Sequence, residues 1–174
     1  MNRRIVLHVL LAALALSGAP AMAASAAPTN VTVTYDHPEN FTETKKVRAL
    51  GPQLASDDYL KTLKTYMEDR ASKMLPPGEH LDIVVTDIDR AGNFEPWLPF
   101  PMSQLRIIKD IYPPRIDLHF RLLGANGKVI REGRRKLRDP GFMYDGLATP
   151  GNNDNLRYEK GLIDRWLRKG PEQL

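Results

Sequence analysis

Apolar residues recur along this chain with two periods. Val31-Thr32-Val33-Thr34-Tyr35 alternates β-branched and aromatic residues, which predicts a short strand. Asp36–Leu54 has mixed polarity and contains Pro38, Gly51 and Pro52, so it reads mostly as loop. Over Ser56–Met74 the period changes: Leu60, Leu63, Met67, Ala71 and Met74 fall on one helical face, with Tyr59, Tyr66 and Arg70 beside it. Ser56 is a suitable cap for that helix, Asp57 and Asp58 complement its positive end, and Pro76-Pro77-Gly78 stops it. Leu81–Ile88 is apolar on both parities, which predicts a central strand. Ala91–Met102 reads as a loop rich in Gly, Pro and aromatics, followed by a strand over Leu105–Ile111 that breaks at Pro113-Pro114.

The next stretch carries the strongest pattern. Ile116, Leu118, Phe120 and Leu122 share one face, and Asp117, His119 and Arg121 share the other. Asn126-Gly127 predicts a two-residue type I′ hairpin. That register sets Arg121 opposite Glu132, Asp117 opposite Lys136, and the Phe120 ring opposite Gly133. It also places Arg131 and Arg135 on the apolar side, as expected of an edge strand whose cationic heads snorkel. After a loop over Pro140–Asn155, Leu156–Arg168 predicts a second amphipathic helix, capped by Asn153 or Asp154, with Leu156, Leu162, Ile163, Trp166 and Leu167 inward. The order β-α-β-β-β-β-α predicts an α+β domain: a mostly antiparallel sheet of about five strands with two helices packed on one face. The other face would then be wet.

The first 23 residues lie outside this pattern. Arg3 and Arg4 precede a twelve-residue apolar run, Ile5–Leu16, broken only by His8, and Ala21-Met22-Ala23 follows as a small-x-small cleavage site. Twelve helical residues rise about 18 Å, well short of a hydrocarbon core of about 30 Å. A Sec-type signal peptide cleaved after Ala23 is the better reading, and it predicts a periplasmic or secreted protein. Residues 24–30 read as a flexible lead-in, 31–169 as a single domain and 170–174 as a tail. The charge argument shifts accordingly. Residues 1–23 hold two of the 25 Lys and Arg and none of the 21 Asp and Glu, so an excess of four positive charges falls to two. That leaves a nucleic-acid partner with little support. The chain has no Cys, which removes disulfides, thiol catalysis and Cys-based zinc sites.

Little in the sequence points to catalysis. There is no Gly-x-Ser-x-Gly, phosphate loop or dinucleotide fingerprint, and His8, His37, His80 and His119 are scattered. No cofactor is expected. Asp87 and Asp89 project to one side of a strand end and Glu95 follows in the next loop. Such carboxylates can hold a divalent ion for metal-assisted hydrolysis, or simply bond to nearby turn backbone. Phe94-Glu95-Pro96-Trp97-Leu98-Pro99-Phe100-Pro101 is unusually aromatic for a loop. Its rings either grip a partner or fold over the sheet edge as a satellite core. The candidate partner surface is therefore Phe94, Trp97 and Phe100, together with Asp117, His119, Arg121 and Arg134 on the open sheet face.

Several phrases in collinear order, from Val31-Thr32-Val33-Thr34-Tyr35 through Leu75-Pro76-Pro77-Gly78, Thr86-Asp87-Ile88-Asp89 and Phe94-Glu95-Pro96-Trp97, carry a family resemblance. Asp110-Ile111-Tyr112-Pro113-Pro114-Arg115-Ile116-Asp117-Leu118, Arg135-Lys136-Leu137-Arg138-Asp139, Tyr158-Glu159-Lys160 and Trp166-Leu167 continue it. Over about residues 30–168 the chain resembles the exported bacterial domain-of-unknown-function family 3016. The resemblance implies a proteobacterial envelope setting and no particular activity. The expected function is a non-enzymatic binding or assembly module of the cell envelope, engaging an envelope protein or a small envelope ligand. The alternative is a metal-assisted hydrolase at Asp87, Asp89 and Glu95.

Overall fold

The computed structural model describes residues 30–51, 58–144, 146 and 152–174. The signal reading on residues 1–23, most of the lead-in and the Ser56 cap fall outside them. Strand β1 (Val31–Tyr35) is followed by α1 (Thr42–Ala49) and α2 (Tyr59–Ser72), then β2 (His80–Asp89), β3 (Asn93–Phe94) and β4 (Arg106–Ile107). Strands β5 (Arg115–Leu123) and β6 (Val129–Arg138) and helix α3 (Arg157–Leu167) complete the order.

The fold is α+β, with a sheet that differs from the expected one. Four strands lie in the order β1-β2-β5-β6, and β3 and β4 form a separate two-stranded ladder. The sheet is mixed. β1 runs parallel to β2, because α1 and α2 carry the chain back before β2 begins, while β2–β5 and β5–β6 are antiparallel. The strand expected over Leu105–Ile111 shrinks to Arg106–Ile107. Its apolar ends have no sheet to pack on: Leu105 and Ile111 are exposed, while the Arg106 side chain turns inward to the Ala91 and Gly92 carbonyls.

Helices α2 and α3 pack together on one face of the sheet, as the patterning predicted. Tyr59, Leu63, Met67 and Ala71 are the buried stripe of α2, and Leu162, Ile163, Trp166 and Leu167 that of α3. They close over Val31 and Val33 of β1, Leu81, Ile83 and Val85 of β2, and Leu118, Phe120 and Leu122 of β5. The apolar residues on both parities of β2 have a local cause. A register shift between Val85 and Asp87 switches the inward face from odd to even numbers, so Ile88 is buried while Val84 lies on the open face.

The hairpin pairs as predicted through its body: Arg121 faces Glu132, Phe120 faces Gly133 and Asp117 faces Lys136. Its turn does not. Gly124 N–H donates to the Lys128 carbonyl and Gly127 N–H to the Gly124 carbonyl, closing a three-residue loop. Type I′ requires positive φ at both central residues, yet Gly127 has φ +73° and Asn126 is not positive. Asn126 Oδ1 instead accepts from the Lys128 N–H at 3.0 Å. The turn is one residue longer, and the register shift beside Leu122 and Leu123 absorbs that residue and restores the predicted pairing beyond it. The cross-strand charges also choose different partners. Arg121 reaches Asp82 on β2 at 3.0 Å, and Asp117 lies 3.6 Å from Arg138.

The third helix, α1, falls where a loop was expected. Its sequence, Thr-Glu-Thr-Lys-Lys-Val-Arg-Ala, has no apolar stripe, and its buried residue is Glu43.

Candidate functional site: a loop tip and the cleft at its root

Six charged side chains are buried among the described residues: Glu43, Asp89, Arg90, Glu95, Asp139 and Glu159. All sit at the end of the sheet where β2 and β6 finish and β5 begins, since Asp89 pairs across with Arg115 and Arg115 with Arg138. Buried charges contribute little net stability, because desolvation offsets their attraction. Their concentration at one end makes it the polar end of an otherwise apolar core.

Helix α1 is fastened there by three carboxylate contacts. Asp87 accepts from the Thr42 N–H at 2.6 Å and from Thr42 Oγ1 at 2.8 Å, supplying from β2 the cap that Phe41 cannot provide. Asp89 accepts from Lys46 at 2.6 Å and from Arg115. Glu43 is fully buried, accepting from Arg106 and from the Arg90 main-chain N–H. Asp87 and Asp89 thus do face one side, and that side is a helix. Glu95 is committed elsewhere, to Lys109 and, at 3.1 Å, to Tyr112. The Lys109 hydrogen bond holds the Glu95 carboxyl below the usual carboxylate range. The three candidate metal ligands therefore do not converge, and among the described residues no group of three His, Cys, Asp or Glu side chains is placed to hold a metal ion.

The loop between β2 and β5 is built from its root outward. The β3–β4 ladder pairs Asn93 with Ile107 and Phe94 with Arg106, and the Gly92 N–H donates to the Tyr112 carbonyl. Gly92 has φ +83°, and a Cβ there would lie 2.6 Å from Ile108 Cδ1, so the close crossing of the two loop arms requires glycine. Phe94 lies beneath the Arg106 guanidinium at 4.7 Å. Beyond this clamp, residues 96–105 (Pro-Trp-Leu-Pro-Phe-Pro-Met-Ser-Gln-Leu) carry no charge. Trp97 is 70 % exposed and Phe100 78 %, with Met102 and Leu105 also open to solvent. Of the two readings offered by the sequence, a satellite core is not what forms. The satellite core is instead Phe142 against Tyr158 and Ala91.

A family model described as a protein of unknown function (DUF3016) matches residues 29–169. The chain belongs to that family. No curated protein and no solved structure matches it. The part of the chain matched to DUF3016 contains the whole loop and every charged residue of the buried cluster.

At the loop's root lies a cleft of about 420 Å³, walled by α1, the start of α2, the end of β2, the β3–β4 ladder and the start of α3. Arg90, Arg106 and Arg157 line it together with Glu43, Tyr59 and Tyr158. Of its lining only Phe94 was a candidate site residue from sequence; Tyr59 and Tyr158 were named there for the helix pattern and the family resemblance, and the three arginines and Glu43 were not named. Glu159, just behind the cleft, was legible in principle, because it shares the apolar stripe of Leu162, Ile163 and Trp166 on α3. Its Oε1 accepts from the Ala91 N–H at 2.7 Å while its Oε2 is buried without a partner, and burial pushes its carboxyl above the ordinary range.

The other predicted surface residues lie apart from the loop. Asp82, Val84, His119, Arg121, Glu132 and Arg134 line a shallow depression on the open sheet face, with Asp117 farther along β5. No hydrogen bond or ion pair links this face to the loop among the described residues.

Proposed function

We propose that this protein is an exported, non-enzymatic binding module of the bacterial envelope that grips a protein partner with the loop tip 96–105. The signal-like pattern of residues 1–23 supports export. The exposure of Trp97 and Phe100 on an uncharged, proline-stiffened segment carries the binding reading. A protein exposing two large rings three residues apart in the chain gives up the stability their burial would bring. A partner covering both removes on the order of 300 Å² of apolar surface, about 7 kcal/mol before the cost of association. The ladder at the root and the three prolines keep the ordering part of that cost small.

The experiment is site-directed photocrosslinking in intact cells, with a photoreactive phenylalanine at position 97 or 100 and, as control, at position 65 on the exposed side of α2. A discrete protein adduct from 97 and 100 but not from 65 is expected. No adduct, or the same adducts from all three, overturns the proposal. The metal-assisted hydrolase reading gains nothing from the geometry, since Asp87, Asp89 and Glu95 are each held by different protein groups.

A further inference from the structure

We propose that the outer edge of β6 is a second docking site, taking an extended acidic segment of another protein as an added strand. The site is separate from the loop tip and does not depend on what the tip grips.

Strand β6 ends the sheet order and spans ten residues, where strands ordinarily run about five or six. Its register shift lies at the turn end, so residues 131–138 pair with residues 115–122 without interruption. Among the described residues, no main chain from another element pairs with the outer side of β6. The opposite edge of the sheet is guarded differently: the Val33 N–H of β1 donates to Glu68 on α2 at 3.3 Å. Proteins blunt a long edge with proline, a bulge, a covering element or charge. Over residues 131–138 there is no proline and no bulge, and charge is the guard.

That charge decides which strand the edge accepts. β6 carries Arg131, Arg134, Arg135, Lys136 and Arg138 against Glu132. Arg131 and Arg135 turn to the helix-covered side and donate to the Leu174 carbonyl. Arg134, Lys136 and Arg138 alternate along the open face. Asp117, opposite Lys136, lies 3.6 Å from Arg138. The Arg134 and Lys136 side chains make no hydrogen bond or ion pair among the described residues. A strand of like charge is repelled here, β6 of a second copy included, and a strand of opposite charge is attracted. Main-chain hydrogen bonds along the edge would hold the partner, and Asp or Glu at every second position would meet the alternating cations.

The test is an NMR titration of the full chain with the end-blocked peptide Thr-Glu-Thr-Glu-Val-Glu-Thr. Saturable shifts of the amides of residues 131–138 are expected, with affinity at least about tenfold weaker for the peptide with Lys in place of Glu. The Glu peptide N-methylated at every residue keeps its charges but cannot donate to the edge, and it should weaken by a similar factor. Arg134→Glu with Lys136→Glu, both exposed, should weaken the Glu peptide by about tenfold or more without lowering the melting temperature. Lys61→Glu on α2, and Trp97→Ser with Phe100→Ser in the loop tip, should leave the affinity as it was, so the two sites stand or fall separately. Four results would each sink the proposal: no saturable shift in residues 131–138, equal binding of the N-methylated peptide, full affinity in a folded Arg134→Glu/Lys136→Glu, or a dimer of the chain alone whose β6 amides are already protected from exchange, which would make a second copy the occupant.

Discussion

Glu159 shows how one side chain records its surroundings. It sits in the first turn of α3, 1 % exposed, with one oxygen on the Ala91 N–H and the other unpaired. Burial raises its carboxyl above the ordinary 4.5, so the folded chain holds this proton more tightly than the unfolded chain does. The resulting contribution to stability is fully present below about pH 4.5 and is lost as pH rises through the folded value. Glu159→Gln keeps an acceptor for the Ala91 N–H and removes the charge. Its melting temperature should match that of the parent near pH 4 and exceed it by a growing margin toward pH 7, measured by calorimetry across that range. A constant difference would show that Glu159 does not titrate. Asp87 makes the opposite point. A carboxylate that invites a metal reading from sequence is the acceptor for Thr42 at the start of another element.

At the scale of elements, the hairpin and α1 separate what patterning can and cannot see. The β5–β6 register was legible because alternation, opposite charges and the Phe120–Gly133 pair all agreed on it. The turn itself was not, because Asn-Gly suits both a type I′ turn and a type I turn closed by a glycine of positive φ. The observed turn places the whole strain at Gly127, where an added Cβ meets nothing within 4 Å. Gly127→Ala should therefore cost about 1 kcal/mol through backbone conformation alone, read from the denaturation midpoint. Asn126→Ala, which removes only the bond to Lys128, should cost less. Helix α1 escaped patterning because its inward face is made of Thr42, Glu43 and Lys46, anchored by Asp87, Arg106 and Asp89. Hydrophobic periodicity cannot register a helix held by charge.

Across the whole molecule, apolar packing and charge are segregated. The helix-covered face of the sheet holds the main core, and the buried charges gather at one end, beneath the loop. The loop tip adds nothing to either, so the recognition proposed for it is separate from stability. Trp97→Ser with Phe100→Ser should leave the unfolding free energy within about 0.5 kcal/mol of the parent, measured by urea titration, while abolishing the partner contact proposed for the tip. A loss of several kcal/mol would place those rings in the core after all. Among the described residues no helix is long and apolar enough to cross a membrane.

The sequence alone determined the strands and helices whose inward faces are apolar, the pairing of the hairpin body, the edge position of β6 and the membership of its family. Each of these depends on neighbours in the chain or on a period of two or 3.6. The parallel placement of β1, the helix α1, the reduced strand at Arg106–Ile107 and the cleft depended on tertiary structure. Arg90, Arg106 and Arg157 lie far apart in the chain and share no motif. They meet because the end of β2, the root of the loop and the start of α3 converge, and a charge acquires its role only from the partners that folding brings to it.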